Sequence, residues 1–195
     1  NPAIPAWIES DSTGHGPGGG TYNPSGGGGS AGGGYGGRGG PTSQGVPGGG
    51  TYGSSNAPVD PGSGAGVNIG GWGGDGGGAI WIECRDNCTV NGKVSANGSD
   101  CAGGNRGGGG SGGSIYIVSR KFDGTGSLSA KGGNGLNEGG GGGGGRMAVW
   151  RIYHLYSGTA SVTNGTCTPY AANKGEIGTL VWGQRLPGGT MFLVR

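Results

Sequence analysis

The stretch Gly112-Gly113-Ser114-Ile115-Tyr116-Ile117 decides the fold, because related copies of it lie on both sides along the chain. Gly77-Gly78-Ala79-Ile80-Trp81-Ile82 precedes it by 35 residues, and Gly144-Gly145-Arg146-Met147-Ala148-Val149 follows it by 32 residues. Each copy passes from glycine into aliphatic, β-branched or aromatic residues, which is typical of a β-strand. Repeats of this length indicate units that bury their apolar faces by stacking on one another.

A second short element follows each copy and has the same alternation in all three units. It reads Lys93-Val94-Ser95-Ala96, then Ser127-Leu128-Ser129-Ala130, then Thr159-Ala160-Ser161-Val162. Three units therefore span residues 74–168, and further β-type runs stand at 178–182 and 191–194. We predict an all-β fold, a stacked β-solenoid or parallel β-helix with glycine-rich, polyproline-II-like segments. A β-sandwich is the alternative, because the strands are short and numerous.

Composition excludes several classes of protein. Glycine accounts for 60 of the 195 residues, while 30% are hydrophobic and 11% are charged. Collagen requires glycine at every third position, whereas residues 139–145 are seven consecutive glycines. No apolar run reaches the ~18 residues that span a bilayer, so we expect no membrane insertion. A formal net charge of +2 gives no reason to expect a nucleic-acid partner.

The first half of the chain has a repeat of its own. Pro17-Gly18-Gly19-Gly20-Thr21-Tyr22 recurs as Pro47-Gly48-Gly49-Gly50-Thr51-Tyr52, with an almost pure glycine stretch between the copies. A flexible linker is one interpretation of this half. The other is a set of extended segments that pack against the strands, and scattered aromatic residues favour it. These are Trp7, Tyr22, Tyr35, Tyr52 and Trp72.

The repeat units resemble a glycine-rich module of large secreted or cell-surface proteins of microbes. The resemblance rests on Gly112-Gly113-Ser114-Ile115-Tyr116-Ile117, on Gly124-Thr125-Gly126-Ser127-Leu128-Ser129-Ala130-Lys131-Gly132-Gly133-Asn134-Gly135, and on the glycines before Arg146-Met147-Ala148-Val149. It covers about residues 15–183 and implies an extracellular, structural or adhesive context without any known activity. The chain starts at Asn1 rather than at a methionine, which we interpret as a mature or processed piece.

We treat residues 1–195 as a single domain with four consecutive parts. These are an N-terminal extended segment (1–14), a glycine-rich first half (15–73), the β repeats (74–183) and a C-terminal strand (184–195).

Four cysteines, Cys84, Cys88, Cys101 and Cys167, predict disulfides, because an even count suits a secreted chain. Zinc requires close Cys pairs, and the spacing does not provide two of them. Cys101 and Cys167 follow similar Asn-Gly sequences, so we pair them with each other and pair Cys84 with Cys88. Pairing Cys84 with Cys101 is the alternative.

Asparagine-linked glycosylation is predicted by three sequons, at Asn87, Asn97 and Asn164. All three lie in turn-like positions between predicted strands. N-linked glycans are therefore possible partners if the chain is secreted by a eukaryote.

The inventory of catalytic residues is thin. The only histidines are His15 and His154, and neither is near a nucleophile or carboxylate in the pattern of a triad. Glu83 and Asp123 could approach each other across stacked units as a glycosidase pair. Gly70-Gly71-Trp72-Gly73-Gly74-Asp75 starts like a calcium repeat but lacks the tandem copies. We expect neither an enzyme nor a cofactor or metal site.

The predicted function is a structural subunit of an extracellular fibre, sheath or surface layer that assembles with copies of itself. Apolar extended segments near both chain ends could add strands to a neighbouring subunit. The assembly residues expected there are Trp7, Ile8, Met191, Phe192, Leu193 and Val194. The alternatives are a carbohydrate-binding adhesin that uses Trp72, Tyr116 or Trp150, and an ice-binding module that uses spaced threonines.

Overall fold

A computed structural model describes residues 7–10, 14–21, 29–67, 72–103 and 106–187. Within these residues it contains thirteen short β-strands and one 3₁₀ turn at Ala171–Asn173, with no α-helix. The strands are β1 (Trp7–Glu9), β2 (Ala79–Glu83), β3 (Asn87–Thr89), β4 (Lys93–Ser95), β5 (Ser114–Val118), β6 (Lys121–Gly124), β7 (Ser127–Ser129), β8 (Gly135–Asn137), β9 (Arg146–Arg151), β10 (Tyr153–Tyr156), β11 (Thr159–Ser161), β12 (Cys167–Pro169) and β13 (Thr179–Gln184).

The strands form four parallel sheets, which we number in the order that the chain visits them on each turn. Sheet I has the order β2-β5-β9-β13, sheet II β3-β6-β10, sheet III β1-β4-β7-β11, and sheet IV β8-β12. Each turn of the chain adds one rung to the stack, and about three turns are complete. The predicted β-solenoid is therefore confirmed, and its parallel pairing excludes the β-sandwich.

The register of sheet I follows the sequence repeat. Ile80 pairs with Ile115, and Ile115 pairs with Met147, which are the offsets of 35 and 32 residues. The predicted short strands also form, as β4, β7 and β11 of sheet III. Strand β9 ends at Arg151, and at Ile152 the chain turns from sheet I into sheet II. The run at 191–194 lies outside the described residues.

The core lies between the sheets and consists of columns of apolar side chains. Ile115, Ile117, Phe122, Met147 and Val149 are fully buried. Val94 and Leu128 extend the core into sheet III, where Ile8 packs against it from β1. Because side chains alternate along a strand, every second residue of each rung contributes to this core.

Polar side chains also link successive turns. The Asp100 carboxylate accepts a hydrogen bond from the Asn134 backbone N–H at 2.6 Å, and the Asn134 side-chain oxygen accepts one from the Thr166 N–H at 2.9 Å. These hydrogen bonds align residues one turn apart, just before the strands of sheet IV begin.

The glycine runs between the turns form a bundle of hydrogen-bonded extended segments. Residues 140–145 donate to three different neighbours in rotation, so every third N–H returns to the same neighbour. The pairs are Gly140 to Ser30 and Gly143 to Gly33, Gly141 to Asn173 and Gly144 to Glu176, and Gly142 to Gly133 and Gly145 to Ala130. A period of three is that of the polyproline II helix. Residues 29–40 take part in this bundle, so the linker interpretation is wrong for them.

Close approach of backbones explains why the bundle is made of glycine. A Cβ added at the buried Gly142 would overlap the carbonyl oxygen of Gly110 in the adjacent segment. At such buried positions the segment is enclosed by other backbones, so a side chain has no room. The bundle is therefore stabilised by backbone hydrogen bonds and close contact rather than by burial of apolar side chains.

Buried polar contacts join this bundle to sheet I. The Tyr35 hydroxyl and Ser114 Oγ lie 2.6 Å apart, and the Arg146 guanidinium lies over the Tyr35 ring, 5.3 Å from its centroid. Arg146 also donates from Nε to the Tyr52 carbonyl oxygen at 2.9 Å. Tyr35 is fully buried, and its ring centroid is 4.7 Å from that of Tyr52. The aromatic residues of the first half thus include two that anchor it to the solenoid.

We expect Gly142→Ala to destabilise the fold, because the new methyl group must displace a neighbouring backbone. Overpacking of this kind costs about 1–3 kcal/mol or more. Gly50→Ala is the matched control, since nothing lies within 4 Å of a Cβ at that exposed position. Thermal unfolding followed by circular dichroism measures both. Equal stability of the two variants would contradict the close-packed bundle.

We expect the fold to lose stability above pH 10 partly through Tyr52. Burial raises the pKa of Tyr52 from 10.0 to about 12. The folded chain therefore keeps this proton while the unfolded chain loses it. The contribution of Tyr52 to the free energy of unfolding is therefore complete below pH 10. It is lost as the pH rises from 10 through 12, at no more than about 1.4 kcal/mol per pH unit.

Urea unfolding of wild type and Tyr52→Phe between pH 8 and 11.5 tests this assignment. The variant should show the shallower decline of the free energy of unfolding, although it is less stable at pH 8. Tyr156, whose pKa burial also raises to about 12, is present in both proteins and does not affect the comparison. Parallel pH profiles would refute the role of Tyr52.

Candidate assembly interface

The two ends of the solenoid are its most unusual surfaces, because strand edges are open there. At the N-terminal end, β2 is the last strand of sheet I, and no strand of the described chain pairs with its outer edge. Trp81, in the middle of β2, is 64% exposed, and its ring centroid is 5.9 Å from that of Tyr116. Natural edge strands are usually protected by charged side chains, Pro or a bulge. The sequence of β2 contains no Lys or Pro, and its one charged residue, Glu83, is the last of the strand.

The C-terminal end has a similar open edge at β13. This strand pairs with β9 on one side, and on its other side the described residues supply no partner. Leu180 and Trp182 continue the core columns of sheet I but are 38% and 37% exposed. The sequence of β13 contains no charged residue and no proline. An open apolar edge of this kind invites pairing with another chain.

Of the assembly residues expected from the sequence, only the N-terminal ones can be placed. Ile8 is half-buried and pairs with Val94 of its own chain, and Trp7 pairs with Lys93. The N-terminal segment thus completes sheet III of its own chain at one edge. Met191, Phe192, Leu193 and Val194 lie outside the described residues. The edges of β2 and β13 were missed, because an edge is a property of the topology and leaves no local sequence signal.

The four cysteines are free thiols and fall into two groups. Burial, followed by the neighbouring Cys84 thiol, raises the pKa of Cys88 to about 12, and the two side chains are in hydrogen-bond contact. Cys101 and Cys167 lie on either side of the rung at 134–135. The Cys101 N–H donates to Asn134, and the Gly135 N–H donates to Thr166. Cys101 and Cys167 are therefore separated by two strand spacings, or about 10 Å. This is beyond the ~7 Å between Cα atoms that a disulfide tolerates.

The sequons occupy rungs with different freedom to carry a glycan. The Asn97 side chain is engaged at both ends, since its nitrogen donates to Ser95 Oγ and its oxygen accepts from Ser129 Oγ and the Lys131 N–H. Asn164 donates to the Gly165 carbonyl oxygen at 3.1 Å. Asn87 is half-buried on β3. A glycan on Asn97 would remove a link between two turns, so this sequon fits a folded, glycosylated chain least well.

The candidate catalytic residues do not form a constellation. Asp123 Oδ2 lies 2.6 Å from Lys121 Nζ, and this contact is the main reason that the pKa of Asp123 is lowered. Glu83 lies on sheet I, whereas Asp123 lies on sheet II, so the two carboxylates do not form the predicted pair. His154 accepts a hydrogen bond from Arg151 at 3.1 Å, and partial desolvation together with the Arg151 charge lowers its pKa. His15 is exposed.

The described residues contain neither a candidate metal site nor a membrane-spanning helix. No cluster of three His, Cys, Asp or Glu side chains could hold a metal ion there. No helix in that part of the chain is long and apolar enough to cross a membrane.

The chain matches no protein-family profile, no curated protein and no solved structure.

We expect a disulfide between Cys84 and Cys88 after oxidation and none between Cys101 and Cys167. The first pair is already in contact, while the second would require the turns to move. Trypsin cleaves after Arg85, so an 84–88 disulfide joins two peptides that reduction separates. Mass spectrometry of the non-reduced digest identifies them. A 101–167 peptide pair would show that the rungs at sheet IV are displaced in the oxidised protein.

Proposed function

We propose that the chain is a structural subunit of an extracellular fibre, sheath or surface layer and assembles with copies of itself. The observation that carries this proposal is the pair of open sheet edges, neither of which contains lysine or proline, at opposite ends of one parallel stack. Strands in such a stack all run in the same direction, so each end can accept further rungs without a change of architecture. A second copy of the chain supplies rungs of matching width and spacing.

The remaining surface supports a structural role over an active one. Charged residues are few, and those placed by the structure form isolated contacts such as Arg106 with Glu138 at 3.0 Å. Many of the buried residues are glycine, alanine and serine, which suit a close-packed structural element better than a ligand cleft. An extracellular setting agrees with the resemblance of the repeat and with the even number of cysteines.

Carbohydrate binding is the second candidate, and the paired rings of Trp81 and Tyr116 favour it. Stacked aromatic rings on an exposed strand face can bind the apolar face of a sugar. Of the other aromatic residues proposed from the sequence, Trp72 is 75% exposed, whereas Trp150 is half-buried and donates to the Asn56 carbonyl oxygen. A glycan array probed with dispersed chain separates this function from assembly.

The ice-binding alternative receives less support, because the five spaced threonines do not share a face. Thr89 is on sheet II and Thr159 is on sheet III. Thr21, Thr51 and Thr125 lie outside the strands.

Electron microscopy of the purified chain at rising concentration tests the proposal. We expect filaments of uniform width from the wild type and dispersed particles from Leu180→Lys. A lysine that points toward the core on an edge strand prevents edge pairing. Leu186→Lys is the matched control, because it adds the same charge at a position that is 66% exposed and outside the strand, and it should assemble normally.

Circular dichroism must first show that both variants keep the wild-type fold. A wild type that stays dispersed at all concentrations would overturn the structural proposal. Assembly that survives Leu180→Lys would show that the open edge of β13 is not used.

A further inference from the structure

The two ends of the solenoid are incomplete in complementary ways. If the rung formed by β2, β3 and β4 is numbered one, β1 stands alone on rung zero, in sheet III. β13 stands alone on rung four, in sheet I. Sheet I therefore occupies rungs one to four and sheet III occupies rungs zero to three. Each end presents one strand of a turn: β1 lacks a partner strand of sheet I on its rung, and β13 lacks one of sheet III, which the other end supplies.

We propose that copies of the chain stack head to tail so that these two partial turns form one shared rung. β13 of one copy pairs in parallel with β2 of the next, and β1 of that next copy pairs with β11 of the first. This inference rests on the proposed function, since it requires that the chain assembles with itself. It adds the partner surface, the register and the dimensions of the fibre.

The side-chain columns of sheet I continue across this junction. Continuing the register of β2, β5, β9 and β13 places Thr179 opposite Ala79 of the next copy. Leu180 then meets Ile80, and Trp182 meets Ile82. The contact of Leu180 with Ile80 extends the buried column of Ile115 and Met147. The contact of Trp182 with Ile82 extends the buried column of Ile117 and Val149. The partly exposed Leu180 and Trp182 become interior residues of a longer core.

The column of sheet III continues as well. Ile8, Val94, Leu128 and Ala160 are aligned by the register of β1, β4, β7 and β11. In the stacked copies, Ile8 of the next chain lies beside Ala160 of the first, so an apolar residue again meets an apolar residue. Among the described residues, sheet II has three strands, on rungs one to three. At the shared rung the described residues therefore supply no strand to sheet II.

The geometry gives an open fibre rather than a closed pair. The two joining surfaces are different, one at each end, and the stack axis is shared by successive copies. A heterologous contact that does not close propagates without limit. Each copy contributes four rungs to sheets I and III. The fibre should therefore rise by about 19 Å per subunit, which is four times the ~4.8 Å distance between strands.

A cross-linking experiment tests the register. Val181 lies opposite Trp81 of the next copy, where neighbouring Cα atoms are ~4.8 Å apart and within the range that a disulfide bridges. After mild oxidation of assembled protein, we expect Trp81→Cys/Val181→Cys to give a ladder of dimers, trimers and higher multimers on a non-reducing gel. Neither single variant should give the ladder, because each copy then carries only one of the two partners. Wild type gives the background of the native cysteines.

The outcomes separate this junction from the proposed function. Dispersed wild-type protein overturns both. If the wild type forms filaments and the double variant assembles without a ladder, the junction is overturned and the structural function stands. A dimer formed by Trp81→Cys alone indicates a head-to-head contact instead of this junction. If the double variant does not assemble, the axial rise of wild-type filaments by cryo-electron microscopy decides. A rise of about 19 Å supports the shared rung, and any clearly different rise excludes it.

Discussion

Backbone hydrogen bonding between adjacent glycine runs is the interaction on which the rest of this structure depends. The run at 140–145 donates in rotation to three neighbours, and the separation leaves no room for a Cβ at positions such as Gly142. A chain with 30% hydrophobic residues has little apolar surface to bury. It nevertheless folds around satisfied backbone groups, with the entropic cost of ordering glycine offset by many mutually aligned hydrogen bonds. The narrow apolar core of the solenoid is one side of a structure whose other side is nearly all main chain.

Sheet I connects the two kinds of packing. One of its faces carries the apolar columns of the core, and the other contacts the glycine bundle through Tyr35, Tyr52 and Arg146. Burying a guanidinium is costly unless its donors are satisfied, and here backbone carbonyl oxygens and an aromatic ring provide the partners. The arrangement ties the register of the bundle to that of the strands. Displacing one layer would leave the charge of Arg146 without those partners.

The sequence predicted the strands and their register well where apolar side chains repeat. Ile80, Ile115 and Met147 align as their offsets require, because equivalent positions face the same core. Sheet II was not predicted, since Asn87–Thr89 and Lys121–Gly124 are too short and polar to show alternation. The pairing of the glycine runs was not predictable either, because glycine has no side chain that could encode a neighbour. The open edges of the candidate interface are set by where the chain enters and leaves the stack, which no local motif records.

The seven consecutive glycines at 139–145 have a consequence for proteolytic resistance. Proteases select their substrates by side chains that fill subsites, and this run offers none. Its backbone is buried and hydrogen-bonded to segments on three sides, so it cannot extend into an active-site cleft without breaking the bundle. A run of glycines is highly flexible as an isolated peptide. Once packed in this bundle, it has neither a side chain for a protease to recognise nor an accessible peptide bond. For a protein exposed to degradative enzymes, durability would follow from the same spacing that excludes every side chain larger than hydrogen.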